Sequence, residues 1–315
     1  MNGFNCVVLF DENNQNKLET CAHPFLDSIS QKGCSGELIL YNKEQEDKNL
    51  HSVSIMSQLM ATYSEFFSIQ NSKPTFQIKE NKLIPKDEIQ TFQEKFNQMN
   101  VSLITNTNFL SLFADSLKIP CFVIDDNNLD EENISNLISK QIQNDLSNKN
   151  NLIFVHLRNN FSEEEIKSRK LDVKIERNII ILDKVAKELE KEEEKVYVII
   201  MSGSELNSNE KSNQNSNQNS NQKSNQNLNQ NSNQKKVFRP KQSYTLHDRK
   251  DISSLVEGGN KIVVSYYHNQ TTRIDKVQHF NQKEIKKNGA NKIIFVERFI
   301  YEMAFKMGFI EKYGA

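Results

Sequence analysis

No stretch of this sequence approaches the ~20 consecutive apolar residues of a membrane-spanning helix, so a helical span is not expected. The chain also lacks an excess of either charge. Its 40 basic and 41 acidic residues leave no electrostatic footprint for nucleic acid or an anionic membrane. The four cysteines, Cys6, Cys21, Cys34 and Cys121, form no C-x-x-C pair, which argues against a structural zinc site or a disulfide scaffold. Cys21 and His23 would supply two metal ligands where four are needed, so the cysteines read as buried thiols of a reducing compartment. A G-x-x-x-x-G-K-[ST] loop, a G-x-G-x-x-G turn and a G-x-S-x-G elbow are all missing. Nucleotide binding and serine-hydrolase chemistry therefore have no support. Gly258-Gly259 precedes a strand pattern and reads as a turn. With neither a basic start before a long apolar region nor an Arg-rich leader, a cytoplasmic address is expected.

What is present is an alternation of short apolar runs with amphipathic stretches, the pattern of an α/β domain with a mostly parallel sheet flanked by helices. Strands are expected over 5–10, 36–40, 101–105, 120–124, 151–157, 195–201 and 261–267. Helices are expected over 24–32, 52–68, 86–98, 107–117, 130–147, 163–193 and 293–307. Over 163–193, Ile166, Ile175, Ile179, Leu182, Val185 and Leu189 share one face against a Glu/Lys-rich back, so this helix should lie on the sheet. From Ser212 to Gln234 a Ser-Asn-Gln-Asn repeat contains one apolar residue, Leu228, and cannot offset its ordering entropy. Residues 1–206 and 237–315 are thus expected to form one α/β domain, with 207–236 a disordered insertion after the strand at 195–201. Open α/β sheets place ligand sites at that end of their strands.

Three residues could carry chemistry on their own terms. Asp11 ends the first strand, as metal-binding carboxylates often do, though a strand-end Asp also caps turns. Ser54 is expected to open a helix whose N-terminus favours an anion, or simply to cap it. His156 lies inside the apolar run Leu152–Leu157, where the plainer reading is a satisfied core histidine.

Taken in order, several segments resemble the cofactor-independent phosphoglycerate mutases of the archaeal type, within the alkaline phosphatase superfamily. Val7-Val8-Leu9-Phe10-Asp11 is similar to that family's first strand, whose Asp binds metal. His23-Pro24-Phe25-Leu26-Asp27 looks like T-P-N-L-D, and Ser54 through Leu59 like the nucleophile segment S-D-T-S-H-L, with Ser54 on the nucleophile. Phe154-Val155-His156-Leu157 matches F-V-H-L. Arg273, Asp275, Val277 and Phe280 fit the late R-x-D-x-V-x-x-F pattern, and Tyr313-Gly314-Ala315 the closing F-G-A.

The resemblance implies an alkaline-phosphatase-like fold, and the departures bear on activity. Positions of the family's D-x-x-x-H ligands hold Phe161 and Glu165. Ser202-Gly203-Ser204 stands for S-D-H, Glu257 lies near a further ligand His with His247 the nearest substitute, Glu12 replaces a Gly, and Gln58 replaces a His. Two close divalent ions are what activate the family's serine, and Asp11 with a hydroxyl cannot hold one firmly. The family's Arg-rich substrate domain is also missing: residues 64–100 contain no Arg. The expectation is a catalytically inactive, phosphoglycerate-mutase-like pseudoenzyme acting as a structural or interaction subunit with a protein partner, and no cofactor. The alternative is a reduced metal-dependent phosphatase or phosphotransferase built on Asp11 and Ser54, with Glu165 and Glu205 supporting a weak Mg²⁺ or Mn²⁺ site.

Overall fold

The computed structural model describes residues 5–12, 18–19, 21–40, 47–68, 72–86, 89–126, 129–159, 171–192, 195–203, 246–247, 250–251, 261–269 and 273–311. The Asn/Gln insertion, Phe161, Glu165, Glu205, Glu257 and the Tyr-Gly-Ala ending lie outside them.

Each of the seven apolar runs is a strand of one eight-stranded sheet. Its members are β1 (Asn5–Asp11), β2 (Cys34–Ile39), β5 (Val101–Thr105), β6 (Cys121–Val123), β7 (Leu152–Leu157), β8 (Val196–Ser202), β11 (Lys261–Tyr267) and β12 (Lys292–Phe295). Two small ribbons, β3–β4 (Phe76–Lys79, Lys82–Pro85) and β9–β10 (Leu246–His247, Lys250–Asp251), stand apart. The order across the large sheet is β12-β2-β11-β8-β1-β7-β5-β6. β1 runs parallel to both neighbours, β7 and β8, whereas β11 runs antiparallel to β8 and β2.

Helices cover both faces of the sheet, which is why its central strands read as unbroken apolar runs rather than alternating ones. Val8 and Phe10 of β1 pack into a core with α2 (Lys48–Leu59), α5 (Asn108–Ser116) and α9 (Val296–Lys306). Val7 and Leu9 point the other way, into a second core with α1 (Pro24–Lys32), α6 (Glu131–Ser147) and α7 (Leu171–Glu190). On α7, Ile179, Leu182, Val185 and Leu189 are buried, spaced as the amphipathic pattern requires. Asp183 of the same helix accepts the amides of Phe25 and Leu26, capping the start of α1.

Three expected helices take other bounds; of the stretch 86–98, the described residues form only one helical turn, Phe92–Lys95, ended at Phe96. Residues 292–295 form edge strand β12 beside β2 before α9 starts, so the helix is shorter than 293–307. The stretch 52–68 divides into α2, which begins at Lys48, and α3 (Tyr63–Phe66). α9 covers the sheet with Phe299, Ile300 and Met303 and leaves Phe305 40% exposed. Between α2 and β5, where the resembled family carries a substrate domain, stand α3, the β3–β4 ribbon and the single turn α4 (Phe92–Lys95). A further short helix, α8 (Gln282–Asn288), precedes β12. Among the described residues no helix is long and apolar enough to cross a membrane.

Candidate functional site

The register of the central strands brings their carboxyl ends level, because Asp11 pairs with Leu157 of β7 and Ser202 of β8. Two backbone bonds extend the ladder past the strand ends, Glu12 N–H to the Leu157 carbonyl at 3.0 Å and Gly203 N–H to the Asp11 carbonyl at 2.9 Å. Because side chains alternate along a strand, Asp11 and Glu12 leave the sheet on opposite faces.

Asp11, 2% exposed, faces α7, where Asn178 Nδ2 donates to its Oδ1 at 3.5 Å. Glu12, 1% exposed, faces α2 and joins a closed polar network. His156 Nε2 lies 2.6 Å from Glu12 Oε2, and Ser52 Oγ donates to Oε1 at 2.9 Å. A carboxylate only accepts, so the Nε2 nitrogen carries the proton. His156 Nδ1 meets Thr105 Oγ1 at 3.1 Å, and its ring tilts against Phe10. Arg158, just past β7, donates from Nη1 to Ser52 Oγ at 2.8 Å and the Lys48 carbonyl at 2.7 Å, and from Nη2 to Asn49 Oδ1 at 3.0 Å. Its own backbone is held by both ends of the Asn106 amide. Burial alone would raise the Glu12 carboxyl. The hydrogen bond and charge of His156, with the charges of His51 and Arg158, outweigh it and hold the group below the ordinary carboxylate range.

Ser54 does not open a helix. It is the seventh residue of α2, 3% exposed, with its hydroxyl accepting from Gln58 Nε2 at 3.4 Å. The free amides of α2 lie at its start, and the Asp47 carboxylate already takes those of Asn49 and Leu50 at 2.7 and 3.1 Å. A carboxylate in that position repels a phosphate from the very place where the helix would favour one. Ser52 is the α2 serine that reaches the edge of the sheet. His156, fully buried and bonded at both ring nitrogens, is a satisfied core histidine that also anchors the network.

The resemblance to the phosphoglycerate mutases implies a pair of metal ions, and the described donors do not fit them. Both Glu12 oxygens are engaged by Ser52 and His156, the His156 Nε2 faces Glu12, and Asn178 and Ser202 beside Asp11 are neutral. The Arg158 guanidinium adds a permanent positive charge to the same network, through Ser52 Oγ, and opposes the approach of a second cation to Glu12. Among the described residues no cluster of three or more His, Cys, Asp or Glu side chains can hold an ion. Glu165 lies outside these residues.

Other residues carrying the resemblance turn out to hold the frame. Asp275 accepts the amides of Ser35, Val277 and Ala290. Asp27 accepts the Phe280 amide at 2.8 Å and sits between His23 and His279, at 3.1 and 3.0 Å. Val277 and Phe280 are buried, and Arg273 binds the Ala290 carbonyl. Burial lowers the His23 imidazole's pKa but is outweighed by the hydrogen bond to Asp27, so it is raised overall; the same carboxylate raises His279. All four cysteines are free thiols; burial raises Cys6, Cys21 and Cys34, and pushes Cys121 up to about 12. They are poor nucleophiles.

No protein-family profile and no curated protein matches the chain by sequence. Solved structures match it by shape. The PH0037 protein of Pyrococcus horikoshii superposes with a TM-score of 0.58 at 11% identity, over 100% of this chain and 99% of that one. The cofactor-independent phosphoglycerate mutase of Thermoplasma acidophilum superposes with a TM-score of 0.51 at 9% identity, over 97% of this chain and 100% of that one. The fold is thus that of the alkaline-phosphatase-like α/β proteins.

Proposed function

We propose that the protein is a catalytically inactive, phosphoglycerate-mutase-like pseudoenzyme that serves as a structural or interaction subunit. The observation that carries this reading is the network Glu12–His156–Ser52–Arg158 at the carboxyl edge of the sheet. Where a metal-dependent phosphotransferase needs open oxygen and nitrogen donors around a cation, this chain has donors bonded to one another and an internal guanidinium. The Asp47 cap on α2 supports the same conclusion from the side of the substrate, since it occupies amides that a phosphoryl group would need. Ser54, inside α2, has no general base among its hydrogen-bond partners in the described residues to activate it.

The test is elemental analysis of the purified full chain after incubation with Mn²⁺, Zn²⁺ or Mg²⁺ and desalting. The reading expects no retained stoichiometric metal and no phosphatase activity above buffer. One or two ions per chain, lost in Asp11→Ala, would overturn it in favour of a reduced phosphotransferase using Asp11, Ser54 and Glu165.

A further inference from the structure

The large sheet ends at β6, which pairs with β5 and has no described strand beyond it. Natural edge strands are commonly blunted by a charged side chain along the strand. Cys121-Phe122-Val123 carries none, and Phe122, its middle residue, is 37% exposed. Phe122 pairs with Ile104, whose side chain belongs to the core beneath α6, so Phe122 emerges on the α6 face of the sheet. On α6 itself Leu137, between the buried Ile134 and Ile138 in the sequence, is 39% exposed.

The backbone fixes the register in which another strand can join this edge. The Pro120 carbonyl accepts the Leu103 amide at 2.9 Å, and the Ile124 amide donates to the Thr105 carbonyl at 2.8 Å. Alternate residues from Pro120 to Ile124 therefore turn their polar groups towards β5. The amides and carbonyls of Cys121 and Val123 point outward, where they have no backbone partner among the described residues. Pro120, which lacks an amide hydrogen, falls at a position where none is needed on the outside. An antiparallel strand with Phe122 opposite its own equivalent sets Cys121 against Val123 of the other copy, and each such pair exchanges two N–H···O bonds. The same register brings Lys118, exposed in the turn before β6, to the end where Asp126 of the other copy leaves the strand. Asp126 Oδ2 accepts Asn106 Nδ2 at 2.9 Å, and a carboxylate has capacity for a further donor. Moving the axis to Cys121 would put Lys118 opposite Ile124 instead.

We propose that β6 pairs antiparallel with β6 of a second copy of this chain, about a two-fold axis at Phe122, joining two sheets into one. A second copy is the occupant because the edge, positive before the strand and negative after it, is complementary to itself when reversed, as an isologous contact requires. On the axis, Phe122 meets its own equivalent in an aromatic cross-strand pair. The inference stands apart from the reading of the metal site, since β7 and β5 lie between β6 and β1.

The test is sedimentation equilibrium on the full chain in a concentration series up to about 100 µM, where even an interface at the small end of the usual range should be populated. A monomer–dimer equilibrium is expected. Phe122→Glu, which sets like charges on the axis, should abolish the dimer, and Lys118→Glu should weaken it about tenfold. Both side chains are exposed, and melting temperatures at low concentration would confirm that the variants fold. Phe122→Cys should form an intermolecular disulfide on mild oxidation, because directly opposed residues of this kind have Cα atoms about 4.5 Å apart. A chain that stays monomeric throughout the series overturns the proposal. So does a dimer that survives Phe122→Glu unchanged, which marks association through another surface. An oxidised link between the two Cys121 residues of the unaltered chain overturns it as well, since it marks a different register. The sedimentation and oxidation of the unaltered chain stay decisive if a variant fails to fold.

Discussion

Replacing Arg158 with methionine keeps the length of the buried stem and removes the internal cation. The side chain is 6% exposed and gives hydrogen bonds of 2.7, 2.8 and 3.0 Å to Lys48, Ser52 and Asn49. Each bond from a charged donor contributes about 1.5–3 kcal/mol. These contributions are not additive within one network, and removing one member of a buried charged assembly costs about 3–5 kcal/mol. At about 2–4 °C per kcal/mol for a large domain, the melting temperature should fall by roughly 6–20 °C. Circular dichroism read against temperature and urea would measure it, with the urea midpoint moving and the slope unchanged. Glu12→Gln, made alone and with Arg158→Met, should show a coupling of about 0.5–3 kcal/mol. A shift below about 2 °C, or strictly additive single effects, would refute the view that Glu12 and Arg158 act as one closure.

The same network gives an acid signature. Glu12 is held below its unfolded value near 4.5, so its contribution is present above that pH and lost as pH falls through the lower folded value. In Arg158→Met one lowering influence is gone, and acid unfolding should begin at higher pH, as read by a pH titration of tryptophan-free near-UV dichroism. His23 and His279 titrate above the ordinary 6.5, so the contact they make with Asp27 is complete below that pH and lost as pH rises through their raised values. Proton NMR should show Asp27→Asn returning His279 towards 6.5; an unmoved titration would refute the pairing. Phe299→Ala, in a fully buried site, should cost about 3–5 kcal/mol. Phe305→Asp, at a 40% exposed position, should leave the urea midpoint almost unchanged, and a large loss there would mean that α9 packs differently.

Much of this architecture was legible because a sheet covered on both faces leaves an unambiguous trace. Val7–Phe10, Leu152–Leu157 and Val196–Met201 are uninterrupted apolar runs of strand length, bounded by polar residues. β12 escaped because Ile293, Ile294 and Phe295 run directly into the apolar face of α9 with no turn between them. α2 was misplaced because its first turn, Lys48–His51, carries only one apolar residue, Leu50, and the denser apolar pattern starts at Val53. That shift moved Ser54 from the mouth of the helix into its body. Asp11 and His156 could be singled out as polar groups within strands, whereas Ser52 and Arg158 could not. Their roles come from the alignment of β1 with β7 and the docking of α2 above it, over sequence separations that no local pattern encodes.

The position of β1 also bears on how the chain is made. It is synthesised well before both of its neighbours, β7 at Leu152–Leu157 and β8 at Val196–Ser202. Translation at roughly 5–20 residues per second leaves this apolar segment without its partners for on the order of ten seconds. During that interval Val7 to Phe10, wholly buried in the finished fold, stand open to any other strand or to a chaperone. The centre of the sheet thus waits through a long stretch of synthesis, and the yield of native protein should depend on how well that wait is protected.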